Sequence, residues 1–311
     1  MKHYKKLLLL FLIIITLSCI LAPIVKISLD FMLEKGELFA DSVNYENGIY
    51  DFGKVMRRIL MLAACIVFVI LRKSLKIGPL MALGMTLNSG CFRKFLFGFL
   101  IAIISLLIYY SLALYFGAWL IHIDYHLVGI VISKIIKYFL VGCLIGLIEE
   151  VFFRGFILQF FMEDMSVAIA ICATSAIYSV LHFFQAEVPV TRGFQPFVGC
   201  TTMSQFLQPL FSQFTENLPS IIGLFLVGVV LSYGFLLSKS LFLSIGLHSG
   251  WVFMMKVDGL FLVRVREKYE WVFGNSNQLV TGFVIWSSLI CILCIIKKVY
   301  RNTHNFEAYL K

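Results

Sequence analysis

Residues 7–25, LLLLFLIIITLSCILAPIV, contain no charged side chain and match the ~20 mostly apolar residues that a helix needs to cross a bilayer. Such a run removes most folds from consideration. In lipid every backbone polar group must be bonded within the protein, so the segment crosses as a helix or is not a span. Seven further segments are mostly apolar, some with a few charged residues, at 55–71, 95–120, 128–162, 166–184, 219–237, 240–256 and 279–296. With 60% hydrophobic and only 14% charged residues, the chain lies far from the mix of a soluble domain. The expectation is an all-α polytopic membrane bundle of about eight transmembrane helices, forming one membrane domain over 1–311.

A net charge of +9 in another chain would raise nucleic acid as a partner. Here the basic residues sit between apolar segments, where they act as topology signals, so no nucleic acid is expected and the lipid bilayer is. Arg72, Lys73, Lys76, Arg93 and Lys94 occur in 72–94 without an acidic residue, and Lys297, Lys298 and Arg301 follow the last span. The segment 26–54 instead carries Asp30, Glu34, Glu37, Asp41, Glu46 and Asp51. The positive-inside rule makes the basic segments cytoplasmic and 26–54 external, and eight crossings leave both termini cytoplasmic. Lys2, Lys5 and Lys6 before an apolar run resemble a signal peptide, but the run is long and no small-x-small site follows, which favours an uncleaved span. Short loops point to a bacterial cytoplasmic (inner) membrane. The stretch 185–218, with Pro189, Pro196 and Pro209, reads as a connector, with a lid or re-entrant segment as the alternatives.

The eight cysteines lie mostly in spans, as small apolar residues do, and no disulfide framework is indicated; only Cys200 falls in an external loop. Cys291 and Cys294 read as packing residues. His122, Asp124 and His126 alternate as HIDYH, a pattern that metal ligands share with solvated loops, and the loop reading is preferred.

Ionisable groups within spans mark function by default. Those that lie deep are Glu149, Glu150, Arg154, His182 and His248; Lys134 and Lys137 lie near a span end, where long stems reach the interface. In GLIEEVFFRGF, residues 146–156, Glu150 and Arg154 are four apart and share a helix face, while Glu149 points about 100° away. Glu150 is thus the natural partner of Arg154. Glu149 is left to face something else, which suits a proton acceptor. MEDMS at 162–166 is the polar break after this span, so the chain should reverse near 165. Glu149 lies 16 residues before that point and His182 lies 17 after it, so at ~1.5 Å per residue both stand about 25 Å along neighbouring helices. A carboxylate and an imidazole at one level can activate water. His248, nine residues beyond Lys239, stands only about 14 Å along its helix, a mismatch that tilt or a protruding 162–166 turn would have to absorb.

These residues together, EExxxR, then an aromatic-x-x-x-His, then a later His, resemble the CPBP family (CAAX protease and bacteriocin-processing, also called Abi), which are intramembrane glutamic endopeptidases. The resemblance covers about 138–256, taken as the catalytic core. It implies that Glu149 activates water with His182, that Glu150 and Arg154 hold the local structure, and that His248 stabilises the oxyanion, without a cofactor. The substrate so implied is a membrane-associated peptide or protein tail. Two positions depart from the family pattern. Tyr178 replaces the usual phenylalanine four before His182. Val252 stands four after His248, where an asparagine is usual, and valine cannot donate a hydrogen bond; losing one such donor costs about 10²–10³-fold in rate. Trp251, through its indole N–H, and Ser244, through its hydroxyl, are the nearby donors. Two alternatives stay open: zinc held by Glu149, His182 and His248, and a non-catalytic membrane protein, an immunity factor or transporter, that uses the same cluster structurally.

Overall fold

A computed structural model describes residues 3–35, 43, 45, 46, 48–71, 84, 85, 90–122, 129–183, 186–265, 269–274 and 279–300. The described residues are predominantly helical, and each of the eight apolar segments forms a helix. The principal elements are α1 (His3–Lys35), β1 (Ile49–Asp51), α2 (Phe52–Leu71), α3 (Cys91–Tyr115), β2 (Trp119–Ile121) and α4 (Val131–Glu150). A π-helix (Val151–Leu158) and α5 (Gln159–Met162) continue α4 without a break. Then come α6 (Val167–Leu181), β3 (Pro189–Thr191), α7 (Val198–Ser212), α8 (Phe214–Ser238), α9 (Leu241–Phe261), β4 (Leu262–Arg264), the short α10 (Glu270–Phe273) and α11 (Phe283–Tyr300).

Among the described residues, five helices are long and apolar enough to cross a membrane: Leu8–Glu34, Cys91–Tyr115, Val131–Met162, Phe214–Ser238 and Phe283–Tyr300. The other three expected spans fall short for physical reasons. The 15 residues of α6 reach about 22 Å, less than the ~30 Å hydrocarbon core. Lys54, Arg57 and Arg58 open α2, and Ser244, His248, Ser249, Lys256 and Asp258 make α9 more polar.

The chain divides into two compact units, Met1–Ile77 with Val180–Leu218 and Gly78–Ser179 with Pro219–Lys311. In the first, α1 is 33 residues long and carries Lys26, Asp30 and Glu34 on helix, not in the expected external loop. Fully buried Lys26 donates to Asp30 Oδ2 at 2.9 Å and to the carbonyls of Thr191 and Gly193 at 2.9 and 2.7 Å. Asp30 also accepts from the Tyr50 hydroxyl at 2.6 Å and from Gly193 N–H at 3.0 Å. Burial first, and then the Asp30 carboxylate, push the Tyr50 phenol well above its ordinary range, so it acts as a donor. β1 pairs antiparallel with β3 through Tyr50↔Val190, and Asp51 Oδ1 accepts from Gly53 and Val188 N–H, both at 2.9 Å. The segment read as a connector is therefore pinned backbone and side chain to α1 and β1. It also contains a helix, α7, whose Val198, Met203 and Phe206 enter a core with Ala22, Tyr50 and Met56.

In the second unit α9 lies between α3, which runs parallel to it, and α4 and α8, which run antiparallel. Lipid supplies no hydrophobic drive between such helices, so close packing over small residues must. A Cβ on Gly142 would meet the Ser249 carbonyl at 2.9 Å, one on Gly146 the Ser249 hydroxyl at 2.5 Å, and one on Gly250 the Ala102 Cβ at 2.7 Å. On Gly246 it would run into the Phe95 carbonyl. Gly246→Ala is accordingly expected to part α9 from α3 and to destabilise by about 1–3 kcal/mol, read as a lower melting temperature in detergent. Gly259→Ala, on the same helix with open space around it, serves as the control and should melt no lower than the parent; equal melting of the two variants would refute the tight seam. The α8–α9 turn is short, with Lys239 at φ 51° and Ser240 capping α9 by accepting from Phe242 N–H.

Candidate active site

The polar side chains that converge in the second unit come from α4, the π-helix, α6 and α9. Arg154 Nη1 donates to Glu150 Oε1 at 2.7 Å, and both side chains are fully buried. Arg154 Nη2 donates to the Gly228 carbonyl of α8 at 3.0 Å. The guanidinium stacks over the rings of Tyr178 and Phe153, 4.9 and 5.7 Å from their centroids. Burial of this kind is offset by the carboxylate, the carbonyl and the two π-faces, although the guanidinium Nε has no hydrogen-bond partner.

Helical spacing alone accounts for the Glu150–Arg154 pair, but Arg154 lies within a π-helix of eight residues. Its i→i+5 bonding widens the turn, a rare device that recurs at functional sites, and residues four apart come nearer to eclipsing. The Gln159 side-chain amide donates to the Gly155 carbonyl at 2.9 Å, satisfying a backbone acceptor within the widened segment.

His248 joins both glutamates. Its Nδ1 lies 2.9 Å from Glu150 Oε1, and its Nε2 lies 3.7 Å from Glu149 Oε2. The depth mismatch expected for this residue does not arise. α9 and α4 run antiparallel with Gly146 beside Ile245 and Ser249, so the first turns of α9 lie level with the end of α4. The π-helix and α5 then protrude past the start of α9. Glu149 is the least buried member, with its side chain 25% exposed, against 6% for His248 and none for Glu150. Tyr178 closes one side, with its ring centroid 6.3 Å from that of His248 and 5.0 Å from that of Phe153.

His182 is not on the helix expected for it. α6 ends at Leu181, where a tight turn closed by Phe183 N–H on the Val180 carbonyl at 3.0 Å stops the helix, and half-buried His182 occupies that turn, in the first unit. The two nominated donors beside His248 are directed elsewhere. Trp251 Nε1 donates to Ser105 Oγ of α3 at 3.3 Å, and Ser244 Oγ donates to the Leu231 carbonyl of α8 at 2.9 Å. Val252 is half-buried and brings no polar atom. The Gly228 carbonyl is the member that side-chain reasoning missed, since a backbone acceptor leaves no mark in residue type.

Among the described residues no three His, Cys, Asp or Glu side chains form a metal-ligand set. His122 is exposed at the end of β2, and Asp124 and His126 lie outside the described residues.

No curated protein and no solved structure matches the chain. Residues 131–254 match the family model described as Rce1-like, type II CAAX prenyl endopeptidase Rce1-like. Over this stretch, which supplies Glu149, Glu150, Arg154, Tyr178 and His248, the chain is similar to that family.

Proposed function

We propose that the protein is an intramembrane endopeptidase of glutamic type, which hydrolyses a peptide bond in a membrane-anchored peptide or protein tail without a metal. The observation that carries this reading is the partly exposed Glu149 set 3.7 Å from the His248 imidazole, above a fully buried Glu150–Arg154 pair, within the family-matched segment.

The separation of Glu149 and His248 exceeds a direct hydrogen bond, and a water touching both would form the apex of a triangle over it. Glu149 takes a proton from that water, and the hydroxide so formed attacks the scissile carbonyl carbon. The proton then passes to the amine as the C–N bond breaks. His182 assists the activation of water, a role that rests on the family resemblance. Glu150 orients His248 by accepting from Nδ1–H. Two carboxylates and one guanidinium sum to one negative charge, so an imidazolium brings the cluster to neutrality, and its Nε2–H is then a donor to the oxyanion. Val252 adds no second donor, so the oxyanion rests on His248. Zinc held by Glu149, His182 and His248 is the less favoured reading, because the Arg154 guanidinium shares Glu150 Oε1 with His248 and so sets a positive charge beside a cation bound to that imidazole.

The test is cleavage of peptides tethered to lipid vesicles by the purified full chain, with products identified by mass spectrometry. Cleavage is expected to persist after treatment with a strong zinc chelator. Loss of activity on chelation, restored by zinc, would overturn the metal-free mechanism. Failure to cut any tethered peptide would favour the non-catalytic reading, in which the cluster only braces α4, α8 and α9.

A further inference from the structure

The helices α1 and α7 of the first unit touch backbone to backbone at one point. A Cβ added to Gly199 would lie 2.6 Å from the Cys19 carbonyl oxygen, 2.7 Å from its Cα and 2.9 Å from the Ala22 Cβ, so only glycine permits this approach. The next residue is Cys200. Its thiol lies close enough to that of Cys19 to interact with it across the contact, and both are free, Cys19 half-buried and Cys200 exposed. Disulfides require Cα atoms about 4.4–6.8 Å apart and side chains that point at one another, and helices in backbone contact with interacting thiols are the setting in which a short shift reaches that geometry.

We propose that Cys19 and Cys200 form a redox modification site, at which oxidation by a membrane-permeant disulfide or an equivalent two-electron oxidant ties α7 to α1. This does not rest on the proteolytic reading. Cys200, as the accessible thiol, attacks first: its thiolate displaces one thiol from the small disulfide and leaves a mixed disulfide on Cys200. The Cys19 thiolate then attacks the Cys200 sulfur and expels the second thiol. Two protein thiols lose two protons and two electrons, and one small disulfide takes them up to become two thiols.

The test uses the full chain in detergent micelles, treated with 4,4′-dithiodipyridine, denatured under acid, digested and mapped by mass spectrometry. The parent protein is expected to yield a Cys19–Cys200 linked peptide lacking two hydrogens, with no thiopyridyl adduct on either residue. In Cys19→Ser, which lacks the resolving thiol, Cys200 should instead retain one thiopyridyl group, and reduction should restore the free thiol. Separate adducts on Cys19 and Cys200 in the parent, or linkage of Cys200 to another cysteine, would overturn the proposal. A Cys200 adduct that persists in the parent with Cys19 still free would do so equally.

Discussion

Replacing Glu149 by glutamine is expected to lower turnover by about 10²–10⁴-fold, the range that a positioned general base contributes, while the protein melts as before. The substitution keeps the shape of the side chain and an oxygen acceptor and removes only the capacity to take a proton. Its effect should stay local, because the Glu149 side chain is 25% exposed and the bonds that hold the helices, Glu150 to Arg154 and Arg154 to the Gly228 carbonyl, do not pass through it. The measurement is kcat for release of the cleaved tail, with a melting curve beside it. Parental turnover in Glu149→Gln would remove this residue from the chemistry.

Arg154→Met is expected to act in the opposite manner, on the fold before the chemistry. It leaves a carboxylate of zero exposure without its cation, takes one of two side-chain donors from the Gly228 carbonyl, which keeps that of Ser232, and uncovers the faces of Tyr178 and Phe153. Breaking a buried pair by removing one partner costs about 3–5 kcal/mol, whereas replacing both partners with apolar groups is often close to neutral. The single variant should therefore melt far below the parent, and Glu150→Leu with Arg154→Met should recover part of the loss, with the remainder reflecting the orphaned His248 Nδ1. A single variant that melts with the parent would show that the pair does not brace the bundle.

How much of this site could be read in the sequence depends on the range of the interaction. Glu150 and Arg154 are four residues apart, and their pairing follows from helix geometry alone. The contact of His248 with Glu150 spans 98 positions, and the register of α9 against α4 that makes it depends on where glycines let backbones touch. The sequence carries a signal for it: Gly142 and Gly146, and again Gly246 and Gly250, are spaced as GxxxG, the pattern of close helix approach in membranes. The count that set His182 level with Glu149 assumed a helix running on to residue 182, and no local composition announces the turn after Leu181. Trp251 shows the limit of reasoning from donors alone, since an indole N–H beside a site serves whichever acceptor packing offers, here Ser105. The acidic residues read as an external loop were partly helical because Lys26 and Asp30, also four apart, hold each other and the 191–193 backbone.

The widened helix at 151–158 also bears on how this architecture can vary in length. An i→i+5 ring holds one residue more than an i→i+4 ring, so this stretch can gain or lose a residue by changing ring size, while the helices on either side stay wound. An insertion or deletion elsewhere in 131–162 would swing every later side chain by about 100°. Arg154 thus rides on the adjustable part of an otherwise rigid rod, just past Glu149 and Glu150 at the end of α4, and that part acts as a vernier: the chain beyond it can be reset in angle and height against the glutamates, one residue at a time, without rebuilding the bundle.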